Sequence, residues 1–422
     1  MGKQKKLIPL EAETNNLGLP EFYVVNRQQL NPTSDILYTV IPKEAPTVCP
    51  VCNGKLSIHK KIQRKIRDLD ERGFRVGILV ETNAYICSSC GTTHRASYPS
   101  IRKQMTNRLA DAIMRDSFTN LTFSDVGKRY HVSTSTVKLL FEERGTEYWA
   151  QYHFEAPKVL GIDEVHLNNA YYGVFTRVDK ANGRIIELSE ERTKKAVIKV
   201  LQQMKHPERL RYVTMDMWRP YRDAVRAVFP SIPIIIDRFH VIKELSRCLD
   251  KVRSETCKSL ANTKERRSLK GNRYLLLSNY DELSPSNKRN LEELFTAYPQ
   301  FKVPHLLKES FRNIYAFAQS KEEALSMFNE WCKDCGEYHV TAYDGFIDMV
   351  LNWQDEIFSY FDFDGPDRTN AQTESLNRCI RNVARDGRGY SFENLRTKMI
   401  FRIEEPTSTR FDFGAFMVEE EE

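Results

Sequence analysis

Along the chain the spacing of apolar positions changes several times, and each change predicts a different kind of element. Residues 101–150 carry apolar side chains three or four apart, in RLADAIMRDSF and then FSDVGKRYHVSTSTVKLLFEER. That period predicts three short amphipathic helices. From Pro157 the texture shortens to KVLGIDEVHL, YYGVFTRVD, RIIELSE, RYVTMDM and IPIIID, alternating or wholly apolar runs of strand length. Helical periodicity interrupts them in TKKAVIKVLQQM and RPYRDAVRAVF, so the predicted order is βββαβαβ, a mixed sheet with helical cover. From about His240 to Asp364 nearly every window reads as helix, with breaks near Pro285, Pro299 and Pro304. A last helix begins near Asn370 and runs through RCIRNVARDGRGYSFENLRTKMIFRI, ahead of an acidic tail, VEEEE. The first 44 residues show no helical period and read as an arm.

Composition narrows the class. At 422 residues the chain calls for roughly two to four domains. With 41% hydrophobic and 28% charged residues it is a folding composition, not a disordered one. A formal charge of +6 permits a polyanionic partner without demanding one, so local clustering has to decide. No apolar run approaches the length of about 20 residues that crosses a bilayer, and the start lacks a secretory stretch. The expectation is a cytoplasmic protein with no membrane partner. Nine cysteines are an odd count for a disulfide framework and point to metal binding or burial.

Four of those cysteines pair conspicuously. Cys49-Pro-Val-Cys52 and Cys87-Ser-Ser-Cys90 are each followed closely by glycine, which suits tight turns that present four thiolates to Zn²⁺. A closed four-thiolate site is structural, because no coordination position stays open for chemistry. The 34 residues between the pairs exceed the usual ribbon spacing, so that loop is expected to be extended; it includes a basic stretch, HKKIQRKIRDLDERGFR, suited to DNA phosphates. Four buried thiols are the competing reading. Cys332 and Cys335, with His339 nearby, lack a second pair and read as core residues of a helix, as do Cys248, Cys257 and Cys379.

Between Thr122 and Glu143 the pattern is helix, turn, helix, with Ser133 as a cap and Val126, Tyr130, Val132, Val137 and Leu140 as the apolar seam. Ser135, Thr136 and Lys138 would then face a DNA groove. An ordinary helical hairpin explains the same pattern.

Two acidic residues end apolar strands alike: Asp163 in VLGIDEVH and Asp216 in YVTMDMW. A carboxylate in an apolar strand is costly to desolvate unless it is paired or bound to a cation. If strands one and four lie side by side, as in a ribonuclease H-like sheet, the two converge. Glu374, near the start of the last helix, is the best third ligand; three carboxylates suit Mg²⁺ or Mn²⁺ rather than Zn²⁺. Glu164 rivals Asp163, Asp237 in IIIDRFHV also ends a strand, and any one of these acids can be a surface residue or a satisfied ion pair.

The strings GIDEVH, MDMWRPYRDAVRAVFP, IIIDRFHVIKEL and TNAQTESLNRCIRNVARDGRGYSFENLR together resemble bacterial insertion-sequence transposases of the ISL-three family, from about Cys49 to Arg402. The resemblance implies a multidomain α+β fold: zinc ribbon, helix-turn-helix, then a ribonuclease H-like α/β core with a mixed five-stranded sheet interrupted by an all-helical insertion. The expected divisions are an N-terminal arm (1–44), a zinc-ribbon-like module (45–100), the helix-turn-helix (101–150), the first part of the catalytic core (157–240), the helical insertion (241–365), the final core helix with its Glu (366–405) and the acidic tail (406–422). It also implies a DDE triad on Asp163, Asp216 and Glu374. Asp237 and His240 match an accessory D-x-x-H element, whose His can equally be a buried residue satisfied by a neighbour. Where relatives commonly show Asn-Gly before the Glu, this chain has Thr369-Asn370-Ala371-Gln372-Thr373, retaining the Asn alone.

Trp218, two residues after Asp216, either stacks on a base or packs in the core. Residues 371–403 hold seven basic and three acidic side chains. Arg378, Arg381, Arg385 and Arg388 therefore suit a DNA backbone track, or else a solvated face. The function expected is a transposase that binds the terminal inverted repeats of its element, then cuts and joins double-stranded DNA by two-metal chemistry, as a homodimer where two ends are synapsed. A silent, domesticated transposase or DNA-binding regulator is the alternative, and a ribonuclease H-like nuclease or resolvase without strand transfer is a third.

Overall fold

In the computed structural model residues 17–31, 35–179, 182–365, 368 and 371–403 are described. The acidic tail at 406–422 and the retained Asn370 lie outside them. The chain divides into two units, Met1–Gln151 with Phe401–Glu422, and Tyr152–Ile400.

The first unit is built on a sheet. β1 (Phe22–Asn31) and β2 (Asp35–Pro42) form an antiparallel pair. β2 then runs parallel to β4 (Phe74–Cys87), which pairs antiparallel with the long β3 (Leu56–Glu71). Residues 22–31 and 35–42 are therefore not an arm: alternate burial along β2 puts Ile36, Tyr38 and Val40 into a core shared with Val76, Ile78 and Val80 of β4. The run is rich in aromatic and β-branched residues, which favour strands.

The expected extended loop between the CxxC pairs is the β3–β4 hairpin itself. It reverses at Arg72 and Gly73, both at positive φ, the two-residue turn that matches strand twist. Short strands follow, β5 (Thr93–Arg95), β6 (Ile101–Arg102) and β7 (Met105–Thr106).

Among the described residues three helices complete this unit, as the pattern predicted: α1 (Asn107–Ser117), α2 (Phe123–Arg129) and α3 (Thr134–Gln151). Thr106 and Thr122 cap the first two, and Ser133 accepts the Thr136 N–H at the start of the third. Val126, Val137 and Leu140 are buried, and the rings of Phe118 and Phe123 pack on Phe141.

The second unit holds the predicted βββαβαβ order: β8 (Val159–Leu167), β9 (Ala170–Arg177), β10 (Arg184–Ser189), α4 (Lys194–Leu201), β11 (Tyr212–Met215), α5 (Arg219–Val228) and β12 (Ile234–Ile236). The sheet order is β10-β9-β8-β11-β12, with β8–β10 antiparallel and β11 parallel to both β8 and β12. Strands one and four are thus neighbours. The sheet is buried on both faces, which is why its strands read as nearly unbroken apolar runs.

Helices α6 (Arg238–Ser259), α7 (Thr263–Gly271), α8 (Arg273–Leu277), α9 (Pro285–Ala297), α10 (Lys302–Phe317), α11 (Lys321–Glu337), α12 (Asp344–Asn352) and α13 (Gln354–Phe358) follow. They do not stand apart from the sheet. Phe311, Phe328, Trp331, Phe346 and Phe358 share one core with Leu160, Ile162, Val213, Met215 and Ile236. A second cluster, from Leu249 to Phe301, forms a separate core within this helical region. Cys332 and Cys335 lie on α11, with Cys335 in the main core.

The last two helices, α14 (Ala371–Gly387) and α15 (Phe392–Ile400), cover the opposite face. There Ile380, Val383, Leu395 and Met399 pack on Val165, Val174 and Leu188. Gly161 is a fit requirement: a Cβ there would lie 2.4 Å from Thr176 Oγ1 and 2.6 Å from Thr373 Oγ1, so only glycine lets α14 approach this closely. Among the described residues no helix is long and apolar enough to cross a membrane.

Candidate active site and zinc centre

The four cysteines Cys49, Cys52, Cys87 and Cys90 come together with every sulfur within 4.8 Å of the others; among the described residues no other group of three or more candidate ligands is drawn this close. Cys49 and Cys90 are 3.8 Å apart and Cys52 and Cys87 are 3.4 Å apart, near the edge of about 3.8 Å for a tetrahedron of thiolates around zinc. The two knuckles repeat one geometry. Val51 N–H points to Cys49 Sγ at 3.5 Å and Ser89 N–H to Cys87 Sγ at 3.4 Å, while Asn53 and Gly91 take positive φ. His94 Nε2, on β5, lies 3.2 Å from Cys49 Sγ, a neighbour that spacing alone did not reveal.

In the second unit Asp163 and Asp216 each follow one residue after the Ile162–Met215 pair of the parallel β8–β11 ladder. Side-chain alternation therefore turns them to one face, the face of Gly161 that α14 covers. Asp163 is 7% exposed. Its Oδ1 accepts the Glu164 N–H at 2.7 Å and its Oδ2 accepts Asn377 Nδ2 at 2.6 Å. Glu374 stands in the first turn of α14.

One imidazole joins two of these acids. His240 Nε2 lies 3.0 Å from Asp216 Oδ1 and 3.6 Å from Glu374 Oε1. His240 sits in the first turn of α6, whose N-cap is Asp237: its Oδ1 accepts the Phe239 N–H at 2.9 Å. Asp237 and His240 thus meet the site by different routes, the first as a buried cap and the second as a direct neighbour of the carboxylates.

The electrostatics follow from burial and crowding. Burial, with the charges of Asp163, Asp237, Glu164 and Glu374 behind it, pushes the Asp216 carboxyl up to about 8. Burial likewise lifts Asp163 to about 6, with Glu164 and Glu374 adding and Arg381 opposing. Burial moves His240 the other way, below the usual histidine range. Asp216 Oδ1 and His240 Nε2 are buried with no hydrogen-bond partner, so their 3.0 Å contact lacks hydrogen-bond alignment. An unpaired buried carboxylate oxygen among other acids is the donor environment a hard divalent cation fits.

The rival acid Glu164 is engaged elsewhere: Arg192 donates to its Oε1 at 2.6 Å. The same guanidinium lies 3.9 Å from the Tyr171 ring and 4.7 Å from the Trp218 ring. Trp218 is 38% exposed, so it is not a core residue. Arg378, Arg381, Arg385 and Arg388 are all exposed along α14 and just beyond its end. On α3, Ser135 and Lys138 are exposed and Thr136 is half-buried, its Oγ1 2.8 Å from Ser133 Oγ. Sequence reasoning missed Asn377 and Arg192. Asn377 was within reach, since it lies three residues after Glu374 on the same helix face; Arg192 lies in a loop and carried no signal.

Residues 160–399 match the family model of ISL-three DDE transposases, described as a transposase, and residues 45–90 match the zinc-finger of transposase IS204/IS1001/IS1096/IS1165. The chain is 23% identical over 356 residues to the transposase for insertion sequence element IS1001 of Bordetella parapertussis, covering 83% of this chain and 86% of that protein.

Proposed function

The chain belongs to the ISL-three family of insertion-sequence transposases, and we propose that it cuts and joins DNA at the ends of its element with Asp163, Asp216 and Glu374 as the ligands of catalytic divalent ions. The observation that carries this reading is the meeting at His240, where oxygens of Asp216 and Glu374 approach one ring nitrogen while Asp163 stands in register beside Asp216. Burial and neighbouring acids raise the pKa of Asp163 and Asp216, and carboxylates so placed are costly unless a cation is held there. Mg²⁺ or Mn²⁺ suits an all-carboxylate set. Such ions activate a water or 3′-hydroxyl and stabilise the leaving oxygen in phosphodiester exchange.

The chain's own residues divide the remaining work. The sheet order and the position of α14 support a ribonuclease H-like core. His240 borders two ligands and Asp237 holds the helix that carries it. The four-cysteine zinc ribbon holds the first unit together. The α2–α3 pair serves as a helix-turn-helix, with Ser135, Thr136 and Lys138 toward base edges and phosphates of the terminal inverted repeats. Arg378, Arg381, Arg385 and Arg388 follow the backbone of the double-stranded substrate. Joining two ends to target DNA calls for a homodimer.

The test uses a duplex carrying the element's end, with Mg²⁺. Asp163→Ala, Asp216→Ala and Glu374→Ala proteins each lose cleavage and strand transfer while still shifting the duplex on a gel. Cleavage retained by Asp216→Ala overturns the assignment.

A further inference from the structure

Helix α14 is fastened to the sheet by side chains on either side of Glu374. Gln372 accepts the Asp179 N–H at 2.8 Å and donates to the Asp179 carbonyl at 2.7 Å. Thr373 Oγ1 lies 2.8 Å from Thr176 Oγ1. Asn377, one turn further on and 2% exposed, differs from both because it bonds a carboxylate of the site. Its Nδ2 donates to Asp163 Oδ2 at 2.6 Å and to the Glu164 carbonyl at 3.3 Å. The carbonyl can only accept, so it fixes which way the amide faces. Asn377 Oδ1 is left buried with no partner.

We propose that Asn377 is a positioning residue of the active site, holding the Asp163 carboxylate in one orientation and tying it at fixed spacing to Glu374 on the same helix. The proposal rests on the reading of these acids as metal ligands. Fastening the helix does not require this contact, since Gln372 and Thr373 already bind the sheet through groups that are not ligands. The Asn377 amide instead holds Asp163 Oδ2 with one hydrogen and the Glu164 carbonyl with the other, while the Glu164 N–H holds Oδ1, so both carboxylate oxygens are fixed. Hydrogen bonds to ligating carboxylates change metal affinity by about 10- to 100-fold.

The experiment measures Mn²⁺ binding to the full-length protein by electron paramagnetic resonance, alongside its unfolding temperature. Asn377→Leu keeps the branched shape and removes the donor; Asn377→Ser is a second, smaller replacement. Arg396→Lys, on α15 and outside the site, is the loosened control. The expected result is Mn²⁺ affinity lowered about 10- to 100-fold in both Asn377 variants, with wild-type affinity in the control even where its unfolding temperature falls. Wild-type affinity in a folded Asn377 variant, beside lost affinity in Asp163→Ala, overturns the positioning role alone. Affinity lost equally in Arg396→Lys also overturns it, because general loosening then suffices. Mn²⁺ affinity unchanged in Asp163→Ala overturns the metal reading itself.

Discussion

His240 Nε2 lies 3.0 Å from Asp216 Oδ1, a pairing of a base whose pKa burial lowers with an acid whose pKa burial lifts to about 8. A free Asp titrates near 4, so near neutral pH the ion-free folded protein holds a proton on Asp216 that the unfolded chain has lost. The stability linked to this carboxyl is therefore present below the unfolded value and is lost as pH rises through about 8. A divalent ion has to displace that proton. Mg²⁺ affinity is expected to rise about tenfold per pH unit between about 6 and 8 and then level off. Calorimetric titration on both sides of that pH checks it, and a flat dependence contradicts it.

Arg396 donates from Nε and Nη2 to the two carboxylate oxygens of Glu187, each at 2.7 Å, and so ties α15 to β10. Glu187 is buried, and breaking such a pair from one side leaves an uncompensated charge. Arg396→Leu is expected to cost about 3–5 kcal/mol in urea unfolding. A loss below about 1 kcal/mol, the scale of a surface pair, would mean that the contact is dispensable.

Removal of zinc should act on the knuckles first. Metal analysis is expected to find one zinc per chain at the four cysteines. Chelation, or Cys52→Ser, should speed hydrogen exchange at the Val51 and Ser89 amides, which point to Cys49 and Cys87 sulfur. Unchanged exchange at both amides after the metal has left would show that the knuckles fold without it.

His305, buried in the helical region, donates from Nδ1 to the Leu276 carbonyl at 2.9 Å. Burial, then the neighbouring Lys308, holds its pKa down at about 4. A depressed histidine contributes stability that is present above its unfolded value of about 6.5 and is lost as pH falls toward 4. The loss is on the order of 2–3 kcal/mol. In His305→Gln that dependence should flatten, and urea midpoints compared with the wild type between those pH values decide it.

Much of the molecule was readable one window at a time, because a helix or strand records its own burial in its periodicity. The order βββαβαβ, the three helices before it, the Ser133 cap and the paired CxxC knuckles depend on residues a few positions apart. The same local logic failed at residues 22–31 and 35–42. β1 and β2 pair with each other, but β4, the strand that joins them to a core, lies some tens of residues further on.

The sequence by itself determined which acids sit in apolar strands and which thiols repeat, since these are properties of neighbours along the chain. Only the tertiary structure decided what they meet. It set Asp163 beside Asp216, engaged Glu164 with Arg192, turned Asp237 into a helix cap, and brought Glu374 to His240 across the long helical region. That region packs into the same core as the sheet instead of standing clear of it. The physical reason is that desolvation and charge coupling depend on distance in space, and the backbone gives no local sign of which distant residues will be neighbours.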